Sequence, residues 1–111
     1  RDFSISHLPW KERHDKAYDL LINASPIGML QNEKPAFGEE SVKKARFVFD
    51  VIVSVNDTPL ISMARKHKKN VITGWELAFE QALLQFYLYT GVHAPTETMR
   101  STLFQHLGIK S

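Results

Sequence analysis

No cysteine occurs anywhere in the chain. That absence excludes disulfides, thiol nucleophiles and thiolate metal sites, and it is compatible with a reducing compartment. A G-x-G-x-x-G motif is also missing. The five glycines (Gly28, Gly38, Gly74, Gly91 and Gly108) are too scattered to build a phosphate-cradling loop. No apolar run reaches the roughly 18 residues that would argue for a membrane span. The opening RDFSISHLPW resembles neither a signal nor a transit peptide, and its first residue is not methionine. Net charge is small: 14 lysines and arginines against 12 aspartates and glutamates leave +2, which argues for neither nucleic acid nor an anionic membrane. The densest basic run, Arg65-Lys66-His67-Lys68-Lys69, falls where a helix should end, and cations there complement the helix dipole. The five histidines lack metal-ligand spacing, so no metal site is expected. A G-x-S-x-G nucleophile elbow, internal repeats and low-complexity segments are absent too.

What is present is a chain of 111 residues, 43% hydrophobic and 23% charged, which suits one ordinary globular domain. Its most informative stretch is Asp19 to Met29, DLLINASPIGM. The short apolar run Asp19-Leu20-Leu21-Ile22 reads as a strand buried on both faces. Asn23-Ala24-Ser25-Pro26-Ile27-Gly28 is turn chemistry at that strand's C-terminal end, where ligands bind in open parallel sheets. A polar loop follows from Gln31 to Glu40, then a short amphipathic or irregular piece from Ser41 to Arg46. Phe47 to Val53 reads as a second buried strand, rich in aromatic and β-branched residues. Asp57 or Thr58 can cap a helix that starts at Pro59 and ends near Lys69-Asn70. Val71-Ile72-Thr73 is a third strand, closed by Gly74.

Trp75 to Tyr89 is almost wholly apolar, which predicts a helix that is not freely exposed, ended by Gly91 in a left-handed conformation. Phe79, Phe86 and Tyr87 are read as packing residues. A last helix runs from Pro95 or Thr96 to Leu107, terminated by Gly108. Alternating strands and helices point to an α/β fold with a parallel sheet and right-handed crossovers. Three parallel strands with two trailing helices look like half of such a sheet, because a parallel sheet needs both faces and both edges covered.

DLLINASPIGM, FDVIVSVNDTPLI and VITGWELAFEQALLQFYLYTG stand in the order and spacing of the C-terminal half of shikimate dehydrogenases, so residues 18 to 100 resemble that family. The resemblance implies a partial Rossmann-like sheet whose three strands are the fourth, fifth and sixth of a nucleotide domain. Residues 1–111 would then be the C-terminal portion of that domain. The substrate domain with its catalytic lysine–aspartate pair, and the glycine-rich loop, would lie outside this chain. It further implies an NADP-dependent oxidoreductase (with NAD as the alternative cofactor) acting on shikimate, quinate or a similar small molecule in aromatic amino acid biosynthesis, in the cytoplasm. This chain alone would be inactive. An uncovered strand edge would leave it to self-associate or to pair with the missing half of the domain.

By the same resemblance, Asn23, Ala24, Ser25, Gly28 and Met29 lie beside the cofactor's ribose and nicotinamide. Val51 lines the nicotinamide pocket, the Gly74 backbone contacts that end of the cofactor, and Leu77 packs against the ring. Gln81 would hydrogen-bond a substrate hydroxyl, and its amide can both donate to and accept from a diol. No catalytic residue is expected in the chain. One departure stands out. The family commonly reads D-x-x-Y-x-P after the second of these strands, its tyrosine reaching the substrate carboxylate, whereas this chain has Val53 and Val55 there. A valine cannot donate that bond, whose loss typically costs about 1.5–3 kcal/mol. The alternative reading is therefore a non-catalytic binding or regulatory module of the same descent. Glu76, near the same end, is expected to turn to solvent.

Overall fold

A computed structural model describes residues 4–30 and 33–108. Three parallel strands, β1 (Leu20–Asn23), β2 (Phe47–Asp50) and β3 (Asn70–Ile72), form one sheet in the order β1-β2-β3. Helix α1 (Glu39–Lys44) connects β1 to β2, and α2 (Pro59–Lys66) connects β2 to β3. Helices α3 (Gly74–Thr90) and α4 (Thr96–Leu107) follow. The register pairs Leu21 with Val48 and Val48 with Val71. Side chains alternate across a strand, so these three share one face. Against that face pack Val42, Ala45, Leu60, Ile61 and Ala64, closing the hydrophobic core.

The opposite face is open. Leu20 and Ile22 are each 46% exposed, and Phe47 and Ile72 stand beside them in register. The reading of β1 as buried on both faces is therefore corrected: within this chain α1 and α2 cover only one side. The apolar run reflects a strand whose second face has no cover among the described residues.

Element ends follow local chemistry. Thr58 caps α2, its Oγ1 accepting from Ile61 N at 3.3 Å, and Pro59 takes the first helical position, where a missing N–H costs nothing. The strand expected to run to Val53 stops at Asp50, because the Asp50 carboxylate accepts from Ile52 N at 3.1 Å and turns the chain out of the ladder. Thr73, expected in the third strand, instead precedes α3 as its N-cap residue. Glu76 does not turn to solvent but folds back, its Oε2 accepting from Thr73 N at 2.9 Å. Gly91 (φ 71°) and Gly108 (φ 70°) end α3 and α4 in the left-handed region, as expected. The short piece after Gly38 is a helix, and Trp10–His14 forms a 3-10 turn that the residue pattern did not announce. Residues 31 and 32, the start of the expected polar loop, lie outside the described residues.

Helix α3 packs against α4 through Trp75 and Phe104, edge to face at 4.9 Å, and through buried Phe79, over which the Arg100 guanidinium sits at 4.9 Å. Tyr87, read as a packing residue, is exposed and stacks on His93 at 4.8 Å. Leu84 and Leu88 of α3 are exposed as well.

One side-chain hydrogen bond ties α1 to the end of α2: His67 Nε2 lies 2.8 Å from Glu39 Oε1. The hydrogen bond from His67, followed by the charge of Lys43, holds the Glu39 carboxyl below its usual pKa. A depressed folded-state pKa means that the contact stabilises above the unfolded carboxylate value, and that this stability is lost as pH falls through the lowered value. Urea midpoints measured from neutral to acidic pH should fall less for Glu39→Gln than for the wild type. Glu39 is exposed, so the difference is expected to be small.

Candidate functional site at the strand ends

The C-terminal ends of β1, β2 and β3 lie side by side, since the strands are parallel and adjacent in register. Each end releases a loop or a helix start, and together these make up the candidate site.

The first loop is shaped from within. Asn23 is buried, and its Nδ2 donates to Ile27 O at 2.9 Å and to Asp50 Oδ1 at 3.3 Å. Its Oδ1 accepts from Ser25 N at 3.1 Å and Ser25 Oγ at 2.6 Å, and Ser25 Oγ in turn accepts from Ile27 N at 3.3 Å. Gly28 then adopts φ 103°, a conformation that strains any side chain, and its N–H donates to Glu33 Oε2 at 2.9 Å. Ala24 and Met29 are exposed on this loop, while Ser25 is half-buried. The Asn23 side chain is thus committed to holding the turn; what the loop turns outward is Ala24, Pro26 and Met29.

The second loop, 51–58, hangs from Asp50. This carboxylate is buried and accepts from Asn23 Nδ2, from Ile52 N and, at 2.7 Å, from Thr58 Oγ1. Beyond it Val53 and Val55 are 48% and 56% exposed, an apolar rim at the site's edge. Arg65 is engaged by Asp57 at 2.8 Å. A cavity of about 450 Å³ opens between the two loops, lined by Gly28, Met29, Ser54, Asn56, Thr58 and Pro59. A second, of about 250 Å³, lies between the 52–58 loop and the start of α3, where Thr73, Gly74 and Trp75 line it.

Gly74 is the tightest joint. A Cβ there would fall onto the carbonyl of Ile52 and within 2.8 Å of Val51 O. Only a glycine lets α3 start against the exit of β2, and this brings Val51 and Gly74 together. Leu77 is half-buried one turn along, and Gly74, Leu77 and Gln81 fall on one helix face by their spacing. Gln81 itself is exposed and lines a groove with Ala78, Leu84 and Leu88, apart from the two strand-end cavities. The structure therefore gathers Gly28, Met29, Val51 and Gly74 at the strand ends and sets Gln81 further along α3. Among the described residues no group of three or more histidines, aspartates or glutamates could hold a metal ion, and no helix is long and apolar enough to cross a membrane.

Asp50 is the residue that the sequence pattern did not single out. Its available signal was an acid closing an apolar strand shortly before a Thr-Pro helix start, which is where a buried acceptor meets a helix N-terminus.

Comparison with known proteins agrees with this architecture. The family described as shikimate 5′-dehydrogenase C-terminal domain matches residues 74–104, which is α3 and most of α4. Shikimate dehydrogenase (NADP(+)) of Maridesulfovibrio salexigens is 32% identical over 109 residues, covering 96% of this chain and 40% of that protein. Quinate/shikimate dehydrogenase (NAD(+)) of Corynebacterium efficiens is 34% identical over 86 residues, covering 78% of this chain and 30% of the relative. A crystal structure of a shikimate dehydrogenase in complex with NADP+ superposes with a TM-score of 0.72 at 28% identity, covering 80% of this chain and 32% of that one. The chain thus spans well under half the length of these relatives. A three-stranded parallel sheet with C-terminal helices, matched in sequence over 96% of its length and in structure over 80%, belongs to the shikimate dehydrogenase family, and within that family it corresponds to the C-terminal region.

Proposed function

We propose that residues 1–111 are the C-terminal portion of a Rossmann-like nucleotide domain, and that the protein to which they belong is an NADP-dependent shikimate or quinate dehydrogenase-like oxidoreductase. The observation that carries this reading is the seat of Gly74 against Val51 and Ile52, which sets the start of α3 beside the strand-end loops. Such an edge of a parallel sheet is where dinucleotides lie. When bound, the cofactor would accept or donate a hydride at C4 of its nicotinamide.

The residues present fit the nicotinamide end of that cofactor. Gly28 makes the first loop's turn at φ 103° and Gly74 seats α3 against Ile52, which sets both walls in place. Val51, Val53 and Leu77 supply apolar surface. The chain has no glycine-rich loop for the pyrophosphate, so that end must be held from outside it. The work of this flank is therefore to orient the ring and exclude water, which shortens the reach between the reacting carbons. Gln81 is assigned to a substrate hydroxyl contributed from beyond this chain. The open sheet face with Leu20, Ile22, Phe47 and Ile72 is where the rest of the domain would pack. In the isolated chain a second copy would take its place, and by itself this chain is expected to be inactive.

A second reading rests on Val53 and Val55, which stand where the family's tyrosine and proline would be. It makes the protein a dinucleotide-binding or regulatory module without turnover. The two readings separate in one assay. Full-length protein is mixed with NADP+ and either shikimate or quinate, and reduced cofactor is followed by absorbance. Turnover by the full-length protein, with none by residues 1–111 alone, is the expected result. Dinucleotide binding without turnover favours the second reading, and absence of both sinks the two together.

A further inference from the structure

We infer that Asp50 is a positioning residue: a single carboxylate that holds the 23–29 and 51–58 loops in the one arrangement in which they flank a dinucleotide. This rests on the nucleotide reading above. Asp50 lines neither strand-end cavity. It is 1% exposed, and among the described residues no cation pairs with it. Its bonds instead reach both loops, one at Asn23 and the other at its two ends, Ile52 and Thr58. Oδ1 takes the Asn23 amide at 3.3 Å and the Ile52 N–H at 3.1 Å, and Oδ2 takes the Thr58 hydroxyl at 2.7 Å.

Each of those partners passes the constraint on. Asn23 fixes Ser25 and Ile27 and so the path to Gly28. Thr58 accepts from Ile61 N and so fixes the start of α2, against which Gly28 lies: a Cβ on Gly28 would stand 3.6 Å from Pro59 Cδ. Both walls of the 450 Å³ cavity therefore trace back to the same two oxygen atoms. A residue serving only to end a strand would bond within its own loop. Asp50 also bonds 27 residues back, to Asn23 in the other loop. The chemistry also favours a carboxylate. An amide in its place keeps one acceptor for Asn23 and Ile52. Its NH2 group, however, must donate to Thr58 Oγ1, whose buried O–H then loses the acceptor it has now.

The test uses full-length protein and calorimetric titration with two probes. NADP+ spans both ends of the cleft, whereas 2′,5′-ADP carries the adenosine end alone. Asp50→Asn should weaken NADP+ binding about tenfold or more while leaving 2′,5′-ADP unchanged, because the bonds Asp50 makes shape only the strand-end loops. Thr58→Val removes one of the three donors and should show the same selectivity at smaller size, which keeps the question answerable if Asp50→Asn does not fold. Thr58→Ser, which keeps the hydroxyl, should recover most of the NADP+ binding that Thr58→Val loses. An equal loss for both probes, or no loss for NADP+, overturns the assignment. A wild-type protein that binds neither probe overturns the nucleotide reading itself before any substitution is compared, and this inference falls with it.

Discussion

Gly74→Ala should unseat α3 and cost the chain about 3 kcal/mol or more. The new methyl meets backbone, not the yielding tip of a side chain: the Ile52 carbonyl lies in its way and Val51 O stands 2.8 Å from the new atom. Overpacking usually costs about 1–3 kcal/mol where neighbours can repack. Here relief requires moving β2's exit or the first turn of α3, so the upper end of that range is a floor. For a domain of this size 1 kcal/mol moves the midpoint by about 4–8 °C, so thermal denaturation followed by circular dichroism should shift down by some 12–24 °C. Backbone amide resonances of Val51, Ile52 and Leu77 should move most, since they flank the joint. A midpoint within a few degrees of the wild type would show that α3 is not held by this contact.

Asp50→Ala has the next largest expected effect. It strips the acceptor from three donors at once, though the three do not suffer equally. Asn23 Nδ2 keeps Ile27 O at 2.9 Å. The Thr58 hydroxyl can rotate, but Ile52 N–H is held inside and has no second partner. An unsatisfied buried donor costs about 1–3 kcal/mol, and the lost charge-assisted bonds add to it, giving an expected destabilisation of about 3 kcal/mol. Urea unfolding measures this directly. Hydrogen exchange should quicken at Ile52 and Ile61 together, because Thr58 links the carboxylate to the first turn of α2. Loss of protection at Ile52 alone would show that the network is not cooperative.

Much of the fold was legible without coordinates, and for identifiable reasons. Pro59 behind Thr58, and Gly91 and Gly108 behind helix-patterned segments, act through their own backbone preferences, which need no tertiary partner. Strand ends were harder. Val53 reads as strand by composition, yet the chain leaves the ladder at Asp50 because of where that side chain bonds. Asn23 shows the same limit at the candidate site. Its place in a turn was visible, but its commitment to Asp50, 27 residues away, was not. Glu76 was read as solvent-facing because its charge was visible and its backward reach to the Thr73 N–H was not.

Local residue preferences settled the order of strands and helices, the stops of α3 and α4 and the family to which the chain belongs, since each depends on neighbours within a few positions or on motifs read in register. Helix α2, expected to reach Lys69-Asn70, ends at Lys66 because Asn70 is taken into β3. Packing alone decided which face of the sheet is covered, how Gly74 seats α3, and that one buried carboxylate joins two loops. Those outcomes depend on distances between segments far apart in the chain, and such distances exist only once it has folded.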